Sequence, residues 1–222
     1  MITVIIPTMW KAKEIGVMLP LLDAHPLVGE IILIDNAPEN KDGVVCSLPK
    51  VKYVTFGKNI FPVPSWNYGW ENAKYEKLLI INDDVLFSIS LVDAIYDQII
   101  ETNGTITLSP DCVLPKTPDM RLLTNRLPHH IKFIPCVRLK HKAAVVLGIH
   151  KNSYIKIPEE LLIHYNDTFL FKICEKNGKH NISAKDLEAR TNMSTTVKNF
   201  RTITDKESRD YPKIFEKYGI PK

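Results

Sequence analysis

Four short apolar runs, each closed by polar residues, constrain this chain more than any other feature. Ile2–Ile6 runs into Pro7-Thr8, Glu30–Ile34 into Asp35-Asn36, Val51–Phe56 into Gly57-Lys58-Asn59, and Leu78–Ile81 into Asn82-Asp83-Asp84. Runs this short and this rich in Ile, Val and Leu read as strands covered on both faces, the habit of a parallel sheet. Helical spacings lie among them. Lys11–Leu22 carries Ile15, Met18, Leu19 and Leu22 on one stripe, Ser65–Lys74 begins after the start signal Pro64, and Leu91–Glu101 is amphipathic. Thr105–Leu108 reads as a further strand. Such alternation predicts an α/β architecture, a mainly parallel central sheet with helices on both faces. In that architecture ligands bind beyond the carboxyl ends of the strands. The rule selects Thr8, Asp35, Asn59 and Asp84.

The second half is less regular. Asp111–Lys140 holds four prolines and the adjacent pair His129-His130, and reads as a long loop or hairpin excursion. The two histidines have no metal-spaced companions and read as solvated loop residues. Ala143–Ile149 resumes regular structure, Glu159–Ile163 and Asp167–Glu175 read as helical, and the tail Asp205–Tyr218 reads as a helix packed on the surface. The 222 residues suit one domain, with parts at about 1–110 and about 111–200 and a helical tail at about 201–222.

Composition narrows the function classes. Twenty-nine basic against 25 acidic residues leave a net charge of +4 with no long basic run, which argues against nucleic acid. Cys46, Cys112, Cys136 and Cys174 form no C-x-x-C and read as reduced thiols of a cytoplasmic protein. The amino-terminal apolar run stops at Pro7 without a basic leader, so it reads as a strand. No apolar run has the ~20 residues that span a bilayer. These features fit a cytosolic protein, of cellular or viral origin.

Several phosphate-binding devices are absent. There is no G-x-G-x-x-G after the first strand, no P-loop and no G-x-S-x-G elbow. For a phosphorylated ligand a divalent cation is the obvious candidate counter-charge, and the carboxylates of Asn82-Asp83-Asp84 at a strand's end are suitable hard donors. A turn rich in Asn and Asp is the structural alternative.

The order of these motifs resembles the inverting glycosyltransferases of family 2, which have the GT-A fold. The resemblance runs from Met1 to about Val197. Ile2–Thr8 is similar to the family's opening strand and its nucleotide-contacting Pro7-Thr8. Ile32–Asn36 is similar to the second strand with its nucleotide-binding Asp35. Asn59, followed by Asn67, Gly69 and Ala73, matches a spaced N…N-x-G…A pattern. Asn82-Asp83-Asp84 stands at the metal-binding D-x-D, Gly148 and Lys151–Tyr154 precede the acceptor part, and Asn166-Asp167 resembles the motif whose Asp is the catalytic base.

The resemblance implies a transfer from a UDP- or GDP-linked sugar donor to a glycan or glycoconjugate acceptor, with Mn²⁺ or Mg²⁺ as cofactor. Asp84, helped by Asn82, would hold the metal. Pro7, Thr8, Asp35, Asn59, Asn67 and Asp83 would contact the donor, and Asp167 would deprotonate the acceptor hydroxyl. Three departures stand out. Asn82 replaces the first D-x-D carboxylate, Met9-Trp10-Lys11 fills the place of Asn-Glu or Arg-Glu, and Leu187–Asn192 carries Arg190 where relatives have a His. Two other functions compete: a non-catalytic binder of nucleotide sugars or glycans, and a sugar-nucleotide nucleotidyltransferase, which would carry a Gly-rich loop after its first strand. Beside these readings stand local ones. Asp35 and Asp167 suit caps, Asn59 a turn, Asn67 an internal hydrogen bond, and Trp66 and Trp70 the core.

Overall fold

The structure, a computed structural model, describes residues 1–40, 47–116, 131–191 and 200–220. Cys46, His129, His130 and Asn192 therefore lie outside the described residues. The chain order is β1 (Ile2–Thr8), α1 (Ile15–Ala24), β2 (Val28–Asp35), β3 (Val51–Thr55), α2 (Pro62–Asn72), β4 (Lys77–Ile81), β5 (Leu86–Phe87), α3 (Leu91–Gln98), β6 (Asn103–Leu108), β7 (Val113–Leu114), β8 (Lys132–Pro135), β9 (Ala143–His150), α4 (Asn166–Lys176), β10 (His180–Lys185), β11 (Ala189–Arg190) and α5 (Arg201–Lys217).

An 8-stranded sheet has the order β3-β2-β1-β4-β9-β6-β10-β8. β3, β2, β1 and β4 pair in parallel, as do β6 and β10, whereas β9 and β8 run against their neighbours. A 3-stranded sheet, β5-β11-β7, packs short segments together beside it.

Strand periodicity sorts the core. Ile2, Val4 and Ile6 of β1, Ile31 and Leu33 of β2, and Leu79 and Ile81 of β4 join one cluster, with α1 and α3. The intervening Ile5, Ile32, Ile34, Leu78 and Ile80 join the other, with α2, α4 and α5. Each strand feeds two cores because alternate side chains leave opposite faces, which explains why the apolar runs are continuous. The edge strand β3 is only partly buried. Two glycines let helices approach closely. A Cβ on Gly69 of α2 would stand 2.5 Å from Ile5 Cγ2, and one on Gly148 of β9 would stand 2.6 Å from Ile95 Cγ2 of α3.

The expected strands β1–β4 and β6 and most of the expected helices appear where the sequence places them, with shifted ends, whereas β5, β7, β8, β10 and β11 are additional. The first helix starts at Ile15 and not Lys11. α2 starts at Pro62, since prolines suit a first turn whose amides have no helical acceptor. Glu159–Ile163 is not helical. Its backbone instead serves a distant carboxylate. Glu207 of α5, only 2% exposed, accepts the amides of Leu162, Ile163 at 2.9 Å and His164 at 2.8 Å. Cys112, Cys136 and Cys174 are free and buried, and burial pushes the Cys174 thiol up to about 12. Among the described residues no helix is long and apolar enough to cross a membrane.

Candidate active site

The carboxyl ends of β1, β2 and β4 open on one cleft of about 690 Å³. Thr8 and Asp35 are register partners at the ends of β1 and β2. Asn82-Asp83-Asp84 follows β4, where the amide of Asn82 still donates to Val145 of β9. Another part of the lining is Ile163–Asp167, the segment held by Glu207.

Asp83 ties two strand ends together. Its Oδ2 accepts the Thr8 hydroxyl at 2.8 Å and the Met9 amide at 3.3 Å, and the Trp10 amide donates to Thr8 Oγ1 at 2.9 Å. Burial raises the Asp83 carboxyl from 3.8 to about 6. The neighbouring Asp84 charge adds to the rise, and the hydrogen bonds from Thr8 and Met9 oppose it. Asp84 has a different partner: its Oδ2 accepts the Thr191 hydroxyl at 2.8 Å. Thr191 is 3% exposed, directly follows β11, and its amide donates to Leu114 of β7. The small sheet thus aims a hydroxyl at Asp84.

Asp167 lies in the first turn of α4. One oxygen accepts the Thr168 amide at 2.7 Å, and the other is held by the Lys142 ammonium. The Lys142 side chain is 5% exposed and that of Asp167 is 26% exposed, so the carboxylate faces the cleft while its partner lies behind it. Tyr165, before α4, has φ 63° and stacks on Tyr211 of α5 with ring centroids 4.0 Å apart. Trp10 and Phe61 also have positive φ, at 60° and 67°. Phe61 and Tyr165 line the cleft, and Trp10 sits between the lining residues Met9 and Lys11. Left-handed backbone at residues other than glycine is costly and clusters at functional sites.

Of the residues selected from sequence, Pro7, Thr8, Asn59, Asn82, Asp83, Asp84 and Asp167 line the cleft. Asp35 and Asn67 do not. Asp35 is fully buried, and its two oxygens accept the Ala37 amide at 2.8 Å and the Tyr53 hydroxyl at 2.7 Å. Asn67 donates to Ile157 O at 2.9 Å and accepts the Ile157 amide and the Tyr154 hydroxyl. Both have internal partners. Asn36, adjacent to Asp35, lines the cleft and accepts the Ile60 amide at 2.9 Å. Asn59 Oδ1 accepts the Phe61 amide at 2.8 Å, supporting the left-handed turn into α2. Trp66 is buried in the core as well as touching the cleft, and Trp70 stacks on Tyr154. Arg190 faces Glu188 and Pro115 O and is not part of the lining.

Lys142, Thr191 and Glu207 are the residues that sequence reasoning misses. Each reaches its partner across a long separation, 25 residues for Lys142–Asp167 and 107 for Thr191–Asp84. No local spacing signals such pairs.

No protein-family model and no curated protein sequence matches the chain. Solved structures do match. Residues 1–349 of TarS from S. aureus are 16% identical, with a TM-score of 0.57 over 91% of this chain and 62% of that one. The same TarS segment in complex with UDP-GlcNAc gives 14%, 0.56, 86% and 58%. The mannosyltransferase PcManGT from Pyrobaculum calidifontis, in complex with GDP-Man and Mn²⁺, is 14% identical with a TM-score of 0.61 over 87% of this chain and 57% of that one. The fold is GT-A. The chain spans between 57% and 62% of the length of these structures.

Proposed function

We propose that the protein is a glycosyltransferase that moves a sugar from a nucleoside diphosphate donor, UDP- or GDP-linked, to an acceptor hydroxyl, with inversion as in family 2. The carrying observation is that Asp84 and Asp167, from different elements, line one cleft at the carboxyl edge of a GT-A sheet. The neighbours TarS, in complex with UDP-GlcNAc, and PcManGT, in complex with GDP-Man and Mn²⁺, support a nucleotide-sugar ligand.

The donor set fits a divalent cation shared with substrate. Among the described residues no three His, Cys, Asp or Glu side chains converge. Asp84 and the exposed Asn82 are hard oxygen donors, and Asp83 is engaged by Thr8 and Met9. Mg²⁺ and Mn²⁺ accept few protein ligands when phosphate oxygens complete the shell. Asp84 and Asn82 would hold it, with Thr191 orienting Asp84. Such an ion supplies Lewis-acid stabilisation of the leaving diphosphate.

The chain's own residues carry the remaining work. Pro7, Thr8 and Asn59 border the donor. Asp167 takes the proton of the acceptor hydroxyl as its oxygen forms a bond to the anomeric carbon and the bond to the diphosphate breaks. Attack from the face opposite the leaving group inverts that carbon. Lys142 keeps the carboxylate in place. One observation favours a second reading, a non-catalytic binder: both oxygens of Asp167 already have protein partners. Incubation with UDP- and GDP-sugars and Mn²⁺ separates the two. Release of UDP or GDP from the donor, with or without added acceptor, supports the enzyme, and saturable binding without any turnover supports the binder.

A further inference from the structure

The loop after β1 departs from the family resemblance, and its geometry gives the departure a purpose. Asp83 fastens Thr8 and Met9, Thr8 fastens the Trp10 amide, and Trp10 turns the chain at φ 60°. The segment that follows puts Lys11, Lys13 and Glu14 into the lining of the cleft. Lys11 and Lys13 are exposed, and neither has an ion-pair partner among the described residues. The other ammonium groups at the cleft are committed. Lys116 pairs with Glu14 at 2.8 Å, with side chains 14% and 11% exposed, and Lys142 is held by Asp167.

We infer that Lys11 and Lys13 form a diphosphate subsite, neutralising the anion from the β1 side of the cleft. The inference rests on the nucleotide-sugar reading and deepens it. Two lysines that line one recess and have no ion-pair partner among the described residues match the charge of a diphosphate, and lysine binds phosphate oxygens as a compact point charge. Tethering the loop to Asp83 reduces the ordering cost of placing those charges. The same arrangement assigns Asp83 a positioning role, holding the loop, distinct from that of Asp84.

The test is isothermal titration calorimetry of the full chain with UDP, GDP and inorganic pyrophosphate, in EDTA and in Mn²⁺. The wild type is compared with Lys11→Gln/Lys13→Gln and Lys11→Arg/Lys13→Arg. Pyrophosphate and one nucleotide should bind the wild type in EDTA, more weakly as salt rises. The Gln variant should lose roughly tenfold or more, and the Arg variant should retain binding because charge is kept. Circular dichroism of each variant controls for folding. A nucleotide bound within twofold by the Gln variant overturns the lysine subsite and leaves the nucleotide-sugar reading standing. Pyrophosphate binding that depends on the lysines, with neither nucleotide bound, supports the anion subsite and defeats that reading. A wild type that binds none of the three overturns the inference.

Discussion

The Thr8 hydroxyl donates to Asp83 at 2.8 Å, joining the end of β1 to the turn after β4. That contact holds a carboxylate whose burial raises it from 3.8 to about 6, so its ionisation opposes folding. Below pH 3.8 the group is protonated both folded and unfolded and has no effect. As pH rises through the window up to about 6, the unfolded chain binds fewer protons than the folded one, and stability falls. The loss is complete above that window and is on the order of 3 kcal/mol at most. Asp83→Asn cannot ionise and keeps an acceptor for Thr8. In chelator-containing buffer its Tm should therefore gain on the wild type between pH 4 and pH 7.5. A Tm difference that stays constant over this range would refute the account.

The sheet was readable because its strands are buried on both faces. Ile5 and Val4 serve opposite cores, yet both positions demand apolar residues, so β1 stands out as an uninterrupted run. The polar strand ends were readable for a similar reason, since chain leaving such a sheet meets water or ligand. What spacing does not encode is side-chain direction. Asp35 ends β2 at the cleft edge but turns inward to Tyr53, while Asn36 beside it lines the cleft. Glu159–Ile163 has helical spacing because its apolar residues are buried, but the amides of Leu162, Ile163 and His164 answer to Glu207. β10, with His180, Asn181 and Ser183, hides its strand character because Asn181 and Ser183 spend their side chains on β6 partners such as Thr105 and Thr107.

Glu207 should therefore matter to stability although it lies on a surface helix. Glu207→Ala would leave the amides of Leu162, Ile163 and His164 without their acceptor. An unpaired buried amide costs about 1–3 kcal/mol, and partial relaxation should bring the total to roughly 2–5 kcal/mol. Urea unfolding measures this directly. Hydrogen exchange should show faster exchange at those amides in the variant. A midpoint within error of the wild type would mean that the segment finds other partners.

Asp84 and Thr191 make a graded pair. Asp84→Ala should abolish divalent-dependent binding of UDP or GDP and leave the fold nearly intact, because a turn carboxylate contributes little packing. Thr191→Val keeps the shape and removes the hydroxyl that donates to Asp84 at 2.8 Å. Groups that orient a metal ligand are worth about 10- to 100-fold in affinity, so the Mn²⁺ requirement should rise by about that factor. Titrating Mn²⁺ against bound nucleotide reads both variants. Undiminished Mn²⁺-dependent binding in Asp84→Ala would remove it as principal ligand.

Asp167 is not the N-cap of α4, a place that Tyr165 takes, but a first-turn residue; accepting the Thr168 amide, pairing with Lys142 and accepting a proton each predict something different. Asp167→Asn keeps an acceptor for the Thr168 amide but leaves the Lys142 ammonium, 5% exposed, without its carboxylate. The partial exposure of Asp167 limits that cost to about 1–3 kcal/mol, less than for a fully buried pair. Lys142→Met in the same chain removes the stranded charge, so the double variant should recover stability. Transfer should not recover with it. If Asp167 accepts the acceptor's proton, Asp167→Asn should lower transfer by about 10²-fold or more, with nucleotide binding retained, and the double variant should stay as slow. Thermal unfolding and product formation, measured on the wild type, Asp167→Asn and the double variant, thereby separate the roles. Transfer that returns with stability in the double variant would make Asp167 a structural partner of Lys142 and leave the acceptor's proton to another group.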